Sequence, residues 1–309
     1  MFVVCGEALM DVFASADTAS GMNLDARVGG SPFNVAVGLA RLAQPVAFFA
    51  ALSRDFLGER LMRALREEGV DTEAMVRVDA PTTLGLVGMD AQGVPSYAFY
   101  GNGAADRQLG VDAIDRLPAQ KSAIHLGSYA TVVEPIASTL RTLVEREHAR
   151  TLISYDPNIR LNVESDLARW RAMLQWMTPR THLLKISEED LSLLWPGMEM
   201  QQFAEGALQQ GVKLVVVTRG SGGAKAWTAE AAVTAPAVAV KVVDTVGAGD
   251  TFQAALLTWL AEHAQLDIGA LGVLPAPALQ QALQFAIGAA AITCSRRGAD
   301  LPRRSELSA

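Results

Sequence analysis

The segment Asp244-Thr245-Val246-Gly247-Ala248-Gly249-Asp250-Thr251-Phe252 combines a glycine-rich turn with the start of a helix. After it, apolar residues recur at the i, i+3, i+4 spacing of an amphipathic helix, at Phe252, Ala255, Leu256, Trp259 and Leu260. The apolar run 237–243 that precedes it is predicted to be a strand. Two glycines let a ligand approach the backbone closely, and the free N–H groups at a helix N-terminus attract anions. The segment therefore predicts an anion-binding turn.

Asp250 is the residue of this turn that an anion site does not explain. A carboxylate repels an anion, so its presence in an anion-binding turn needs another explanation. Asp250 could be the base that takes a proton from a hydroxyl that attacks a phosphoryl group. It could instead be only the N-cap of the helix. The dinucleotide fingerprint is not met, because Phe252 stands where its third glycine belongs, and the chain has no Gly-Lys-Ser/Thr triplet of a P-loop. The turn alone leaves a catalytic site and an ordinary helix start both open.

The composition excludes several classes of protein. The 309 residues suffice for a large core, and no apolar run reaches the roughly 18 residues of a membrane span. The N-terminus lacks the basic region of a secretory signal. Cys5 and Cys294 alone cannot build a disulfide framework, and the net charge of −7 with scattered basic residues gives no nucleic-acid surface. We therefore expect a cytoplasmic protein that binds neither membranes nor nucleic acid.

Short apolar runs separated by helix-length segments predict a doubly wound, mostly parallel sheet with helices on both faces. The runs are 2–5, 45–50, 75–78, 123–126, 151–155, 182–186 and 214–217. Helices are predicted from Pro32 to about Leu42 with Ser31 as N-cap, over 58–68, and over 279–294. The β-type runs 83–89 and 94–100, joined by Asp90-Ala91-Gln92-Gly93, predict a hairpin that interrupts this alternation.

Polar residues and glycines follow the predicted strands, where ligands of doubly wound sheets lie. They are Glu7 and Asp11, Gly127-Ser128, Asp156-Pro157-Asn158-Ile159-Arg160, Ser187-Glu188-Glu189, and Thr218-Arg219-Gly220-Ser221-Gly222-Gly223. Asp156, Asn158 and Arg160 suit a polyol or a phosphate, or form a turn with a surface arginine. The glycines after Thr218 cradle a ligand or form only a hairpin turn. Likewise Gly29-Gly30 begins a second helix or makes a tight turn.

These motifs resemble the ribokinase/PfkB family of sugar kinases from Gly6 to Pro302. The segment 244–252 is similar to the second signature of the family, and the run 29–58 is similar to the first. The resemblance implies an α/β ribokinase-like fold in a single domain, 1–309, with a small β-lid formed by about 12–28 and 83–107. Because unpaired strand edges are ordinarily protected, we expect two chains to form a homodimer through their lids.

The resemblance also implies a role for each candidate residue. Asp250 would be the catalytic base, Gly247, Ala248 and Gly249 would complete an anion hole, and Arg160 would lie near the transferred phosphate. The candidate sugar-binding residues are Asp11, Gly29, Gly30, Asn34, Tyr97, Phe99, Arg107, Asp156 and Asn158. Tyr97 and Phe99 alternate on one face of their strand, where they stack on a sugar ring or only pack the lid.

For the nucleotide, the resemblance implies ATP and Mg²⁺. Lys185 and Glu188 match an Asn-x-x-Glu motif with lysine in place of asparagine, and Glu188 would act through Mg²⁺-bound water. The remaining nucleotide-binding candidates are Thr218, Gly220, Gly223, Ala286 and Ala290. In many relatives the backbone at Asp244 and Val246, with a closing loop similar to Arg296-Arg297-Gly298-Ala299, encloses K⁺. Pro302 stands where that loop often has serine, a departure from the pattern.

Three segments look most like fructokinases within the family: Gly6-Glu7-Ala8-Leu9-Met10-Asp11, Ala105-Asp106-Arg107 and Asp156-Pro157-Asn158-Ile159-Arg160. The resemblance therefore implies transfer of the γ-phosphate of ATP to the 6-hydroxyl of D-fructose. The alternatives are 2-keto-3-deoxygluconate kinase or another sugar kinase of the family. Outside this class, a catalytically silent sugar-binding sensor would retain the pocket, and a nicotinamide dehydrogenase would need the missing third glycine.

Overall fold

The computed structural model of the protein describes residues 1–89 and 95–307, with the backbone alone at 15–17, 89 and 95–97. The strands are β1 (Phe2–Cys5), β2 (Leu9–Thr18), β3 (Gly21–Gly29), β4 (Val46–Phe49), β5 (Ala51–Ser53), β6 (Val76–Val78), β7 (Leu84–Met89), β8 (Pro95–Tyr100), β9 (Ala123–Gly127), β10 (Leu152–Asp156), β11 (Leu183–Ser187), β12 (Leu214–Thr218), β13 (Ala224–Trp227) and β14 (Ala232–Ala235). The helices are α1 (Ser31–Arg41), α2 (Phe56–Glu67), α3 (Ile136–Glu147), α4 (Leu167–Met177), α5 (Glu188–Leu194), α6 (Met200–Gln209), α7 (Ala248–Glu262), α8 (Ile268–Gly272) and α9 (Ala276–Cys294).

The main sheet has the strand order β14-β13-β12-β11-β10-β9-β1-β4. The pairs from β4 through β12 are parallel, whereas β12, β13 and β14 pair antiparallel. The first strand has β4 on one side and β9 on the other, so the chain reverses its direction across the sheet beside β1. Ligands of doubly wound sheets bind beyond the strand ends at such a reversal. The predicted mostly parallel, doubly wound sheet is confirmed.

Helices cover both faces of this sheet, because side chains alternate along each strand. Phe2 and Val4 of β1 belong to one buried apolar cluster, which includes α1, α2, α7 and α9. Val3 and Cys5 belong to the other, which includes residues of α3, α4, α5 and α6. Strands buried on both faces have continuous apolar sequences, which is the pattern that located them. Of the described helices, none is long and apolar enough to cross a membrane.

A second sheet, here called the lid sheet, has the strand order β3-β2-β7-β8. Strands β2 and β3 form an antiparallel pair, β2 and β7 pair in parallel, and β7 and β8 pair antiparallel. The predicted turn Asp90-Ala91-Gln92-Gly93 lies outside the described residues. Strand β3 is largely exposed, and it forms one edge of this sheet.

Two sequence expectations about local structure are wrong. The run 237–243 is not a strand, because Pro236 ends β14 at the edge of the sheet and cannot donate a backbone hydrogen bond. Its valines are largely exposed. The N-cap of α1 is Gly30, whose φ of 107° suits glycine, and Ser31 is the first helical residue. The hydroxyl of Ser31 makes its hydrogen bond elsewhere, with Asp250.

Candidate active site

The N-terminus of α7 is held by its own turn and by the loop that follows α9. Gly247 is the N-cap with φ 77°, and a Cβ there would lie 2.7 Å from Cβ of Ala299, so only glycine fits. Asp244 accepts hydrogen bonds from the N–H of Val246 (3.1 Å) and the N–H of Gly298 (2.8 Å). One carboxylate therefore fastens the turn and the closing loop to each other.

Asp250 is the third residue of α7, and its carboxylate points toward the start of α1. Its Oδ1 accepts a hydrogen bond from Oγ of Ser31 (2.6 Å), and its Oδ2 accepts one from Nδ2 of Asn34 (2.8 Å). Burial raises the pKa of Asp250, while these bonds and the cations Lys185 and Arg160 oppose that rise. The carboxylate is thus fixed in orientation and more basic than a solvated one.

A cavity of about 390 Å³, here called the lid cavity, lies between Asp250 and the lid sheet. Most of the residues predicted for the sugar and the reaction line it: Asp11, Gly30, Asn34, Phe99, Asn158, Arg160, Gly247, Gly249 and Asp250. Residues that the sequence did not assign to a site also line it, among them Glu7, Ser128 and Asn162. Glu7 and Ser128 each follow a predicted strand, so their positions in the sequence could have identified them as residues of the site.

The carboxylate of Asp11 lies between two glycines. A Cβ at Gly29 would lie 2.3 Å from Oδ2 of Asp11, and one at Gly85 would lie 3.1 Å from its Oδ1. Gly29 therefore leaves room for Asp11 and does not itself line the cavity. Burial raises the pKa of Asp11 to about 6; the charge of Arg160 opposes this and the charge of Asp250 adds to it.

Besides Gly29, two more of the predicted sugar-binding residues, Asp156 and Arg107, do not line the lid cavity. Asp156 accepts a hydrogen bond from Nζ of Lys185 (2.6 Å) in a buried ion pair, because the register of β10 and β11 sets the two residues side by side. Arg107 reaches Oδ1 of Asn102 (3.4 Å) and lies near the buried Asp106. The side chain of Tyr97 lies outside the described residues, and Phe99 packs edge-to-face against Tyr129.

A second cavity of about 570 Å³, here called the α9 cavity, lies on the other side of the α7 N-terminus. The predicted nucleotide residues Thr218, Gly220, Gly223 and Ala290 line it, with Ala248 and the exposed apolar segment that was predicted as a strand. Ala286 is fully buried in the core instead, and one helical turn separates it from Ala290.

Lys185 and Glu188 line neither cavity. Lys185 is buried beneath the turn, with its Nζ 3.2 Å from the position that a Cβ of Gly249 would take. Glu188 is exposed at the first position of α5, which begins where β11 ends. Among the described residues, no group of three or more His, Cys, Asp or Glu could hold a metal ion by itself.

The two cavities meet at the N-terminus of α7. Thr245 and Gly249 line both of them, whereas Asp250 lines only the lid cavity. The N–H of Ala248 donates to the carbonyl of Thr245 (3.2 Å), and those of Gly249 and Asp250 donate to no other described residue. Free N–H groups and the helix dipole at a junction between two cavities suit a group that passes from one ligand to another.

Comparison with known proteins agrees with this arrangement. The chain matches the profile of the pfkB family carbohydrate kinases over residues 1–306. It is 35% identical over 99% of its length to a fructokinase of Rhizobium leguminosarum bv. trifolii, of which it covers 92%. It is 30% identical over 98% of its length to a fructokinase of Vibrio alginolyticus, of which it covers 96%.

Solved structures give the same result. A fructokinase with bound ATP from Xylella fastidiosa has a TM-score of 0.87 at 27% identity, over 99% of this chain and 96% of that one. A fructokinase from Vibrio cholerae O395 in fructose, ADP and calcium ion bound form has a TM-score of 0.80 at 25% identity, over 96% and 94% of the two chains. The fold is thus that of the ribokinase-like sugar kinases. The chain belongs to the pfkB family of carbohydrate kinases, so a dehydrogenase and a non-catalytic sensor are set aside.

Proposed function

We propose that this protein transfers the γ-phosphate of ATP to the 6-hydroxyl of D-fructose. The main support is the junction at the α7 N-terminus, where Gly249 lines both cavities and Asp250 faces the lid cavity. In this proposal fructose occupies the lid cavity and ATP occupies the α9 cavity. The relatives named as fructokinases, and the structure with fructose and ADP, support this choice of sugar.

Asp250 takes the proton of the attacking hydroxyl. Ser31 and Asn34 fix both of its oxygens, and burial raises its pKa toward the range where a general base is effective. Such a base contributes about 10² to 10⁴ in rate. As the proton leaves, the sugar oxygen bonds to the γ-phosphorus, the bond from that phosphorus to the β-phosphate oxygen breaks, and ADP is the leaving group. The oxygens of the transferring phosphoryl group carry negative charge beside Gly249 during this step.

The N–H groups of the turn Gly247-Ala248-Gly249, with that of Asp250, hold this charge. In the described structure the N–H of Ala248 is bonded to Thr245, so those of Gly249 and Asp250 are the immediate donors. Arg160 lines the lid cavity and acts electrostatically on both Asp11 and Asp250, so it is placed to stabilise the phosphoryl charge from the sugar side. Lys185 adds positive potential from beneath the turn.

Two ions belong to the proposal. Mg²⁺ bound to nucleotide phosphates needs few protein ligands, and the exposed Glu188 at the end of β11 suits contact through water. Mg²⁺ would neutralise phosphate charge. For K⁺, the carbonyl oxygens of Asp244 and Val246 accept no hydrogen bond from the described residues and are therefore available as ligands.

The test of the reaction is Asp250→Asn, which keeps the size of the side chain but removes its basicity. We expect kcat to fall by about 10² to 10⁴, with the affinity for ATP and the thermal midpoint nearly unchanged. Asp166→Asn is the matched control, because Asp166 also lies at a helix N-terminus but caps α4 through the N–H of Ala168. A kcat within about threefold of wild type would remove Asp250 from the role of base.

We also propose the domain organisation that the family resemblance implied, and a dimer that is expected from the exposed strand edge of the lid. The chain would be one kinase domain with the lid sheet as its cover, and two chains would pair through exposed strand β3. A cytoplasmic location fits the supply of ATP and the two free thiols, Cys5 and Cys294.

A further inference from the structure

Glu7 is a buried carboxyl group in the lid cavity with an unpaired oxygen. It follows β1, is 1% exposed, and lines the cavity with Asp250. Its Oε2 makes no hydrogen bond with any residue in the part of the chain that the structure describes. Burying a polar atom without a partner destabilises a fold, so a partner supplied by a ligand would account for the arrangement.

The backbone at Gly6 and Glu7 packs closely against the start of α1. A Cβ at Gly6 would lie 2.4 Å from Cγ of Pro32, and a Cβ at Gly30 would lie 2.8 Å from the carbonyl oxygen of Glu7. Both neighbours lie at the start of α1, beside the residues that bind Asp250. Strand β1 and helix α1 are therefore in close backbone contact at this point.

The groups that face Glu7 come from several elements. Burial raises its pKa to about 8, the Ser128 hydroxyl and its own backbone N–H lower it, Asp106 raises it and Arg160 lowers it. Tyr129, which also lines the cavity, donates its hydroxyl to Asp106 (3.0 Å). At neutral pH Glu7 is therefore mostly protonated, with one donor and remaining acceptor capacity.

We propose that Glu7 is a further sugar-binding residue, whose unpaired oxygen exchanges a hydrogen bond with one hydroxyl group of the bound sugar. The inference rests on the proposed sugar-kinase function of the lid cavity. A site with a buried polar group rejects an analogue that lacks the matching hydroxyl, because the group is then left unpaired. Glu7 therefore determines which polyhydroxylated substrates bind well, and it takes no part in the proton transfer itself.

The experiment combines variants of Glu7 with deoxy sugars. Glu7→Gln keeps size, donor and acceptor, whereas Glu7→Leu keeps approximate size without polar atoms. With fructose we expect Glu7→Gln to retain kcat/KM within about fivefold and Glu7→Leu to lose about 10- to 100-fold, mainly through KM. One of the sugars 1-, 3- or 4-deoxyfructose should lower the kcat/KM of the wild type by a similar factor. On that same deoxy sugar, the kcat/KM of Glu7→Leu should lie within about threefold of the wild-type value.

Glu147→Gln is the control for the loss of a buried carboxylate, because Glu147 is 5% exposed but pairs with Lys121 and Arg150 away from both cavities. It should leave KM unchanged. The proposal is overturned if Glu7→Leu loses the same factor on fructose and on every deoxy sugar, or loses nothing on fructose. If wild type does not phosphorylate fructose, the proposed substrate fails, and the same cycle on the sugar that it does phosphorylate, with deoxy analogues, still decides the role of Glu7.

Discussion

At the scale of single residues, the site is defined by carboxyl groups with different surroundings. Both oxygens of Asp250 accept hydrogen bonds from residues of α1, and Asp156 forms an ion pair with Lys185. One oxygen of Glu7 makes no hydrogen bond with the described residues. Carboxyl groups with such different partners bind different groups even though their chemistry is the same. This difference supports giving them separate roles, as base, structural ion pair and sugar ligand.

We expect Asp11 to decide whether a neutral sugar or a sugar acid is the preferred substrate. Its carboxylate would repel an acid substrate and accept bonds from sugar hydroxyls, so fructose should be phosphorylated far better than 2-keto-3-deoxygluconate. Asp11→Ala should lower kcat/KM for fructose by about 10² or more, because donors of the sugar lose their acceptor. Relative kcat/KM values on the two substrates test this. A better reaction with the keto acid would contradict the fructokinase proposal while leaving a sugar kinase intact.

The raised pKa values of Asp11 and Asp250 predict how the activity depends on pH. Burial raises the pKa of Asp11 to about 6 and also raises the pKa of Asp250. Asp250 can act as a base only when it is ionised, and protonation of Asp11 turns one of its acceptor oxygens into a donor hydroxyl, so both functions weaken as pH falls. We expect kcat/KM for fructose to decline as pH falls through about 6, measured at constant ionic strength. A profile that stays flat down to pH 5 would contradict this assignment.

At the scale of elements, the glycine that begins α7 joins the helix to the closing loop. Gly247 and Gly69 both have positive φ, but a Cβ at Gly247 would meet Cα and Cβ of Ala299, whereas a Cβ at Gly69 would meet nothing within 4 Å. Alanine at either position carries a backbone strain of about 1–2 kcal/mol. Only Gly247→Ala also forces the N-terminus of α7 to move.

Gly247→Ala should therefore lower kcat more than about tenfold, because a displacement of the catalytic group of about 1 Å is very damaging. Gly69→Ala should leave kcat unchanged and lower stability alone. Steady-state kinetics and denaturant unfolding of the two variants distinguish these effects. Equal kcat values for both variants would show that the turn tolerates the added methyl group.

At the scale of the whole molecule, the reversal of the chain beside β1 gathers the site. Residues after β1, β9 and β10 reach the lid cavity from the main sheet, while α1 and α7 point their N-termini at it from one face. The lid sheet closes the opposite side. Its outer strand β3 exposes Met22 and Leu24, which are 59% and 53% accessible.

If two chains pair through the lid sheet, a charge on that strand should separate them. We expect light scattering to give the mass of a dimer, and Leu24→Asp to shift it toward a monomer because the exposed apolar strand is then charged. Phe56→Asp is the control, since Phe56 is 80% exposed at the start of α2, outside the lid sheet. A wild-type monomer at high concentration would contradict the dimer.

The sequence by itself determined the parallel strands, the helix after Gly247 and the position of Asp250 in the first turn of that helix. These depend on periodicity and on the chemistry of adjacent residues, which a linear chain displays directly. The positions of Asp11 and Asn34 followed from the resemblance of their motifs. The sequence did not reveal that Gly30 is the N-cap of α1, because serine is a residue type that is preferred at N-caps. The hydroxyl of Ser31 instead bonds to Asp250, which is distant in the chain.

Only the tertiary structure decided which of these residues act on each other. Ser31 and Asp250 are 219 residues apart in the chain, and no local pattern predicts their hydrogen bond. The pairing of Asp156 with Lys185 depends on strand register, and the apolar run 237–243 became a cavity wall because the sheet ends at Pro236. The burial of Glu7 in the lid cavity likewise results from elements that are distant in the chain. Partner choice depends on which elements become neighbours, and that information exists only once the chain is folded.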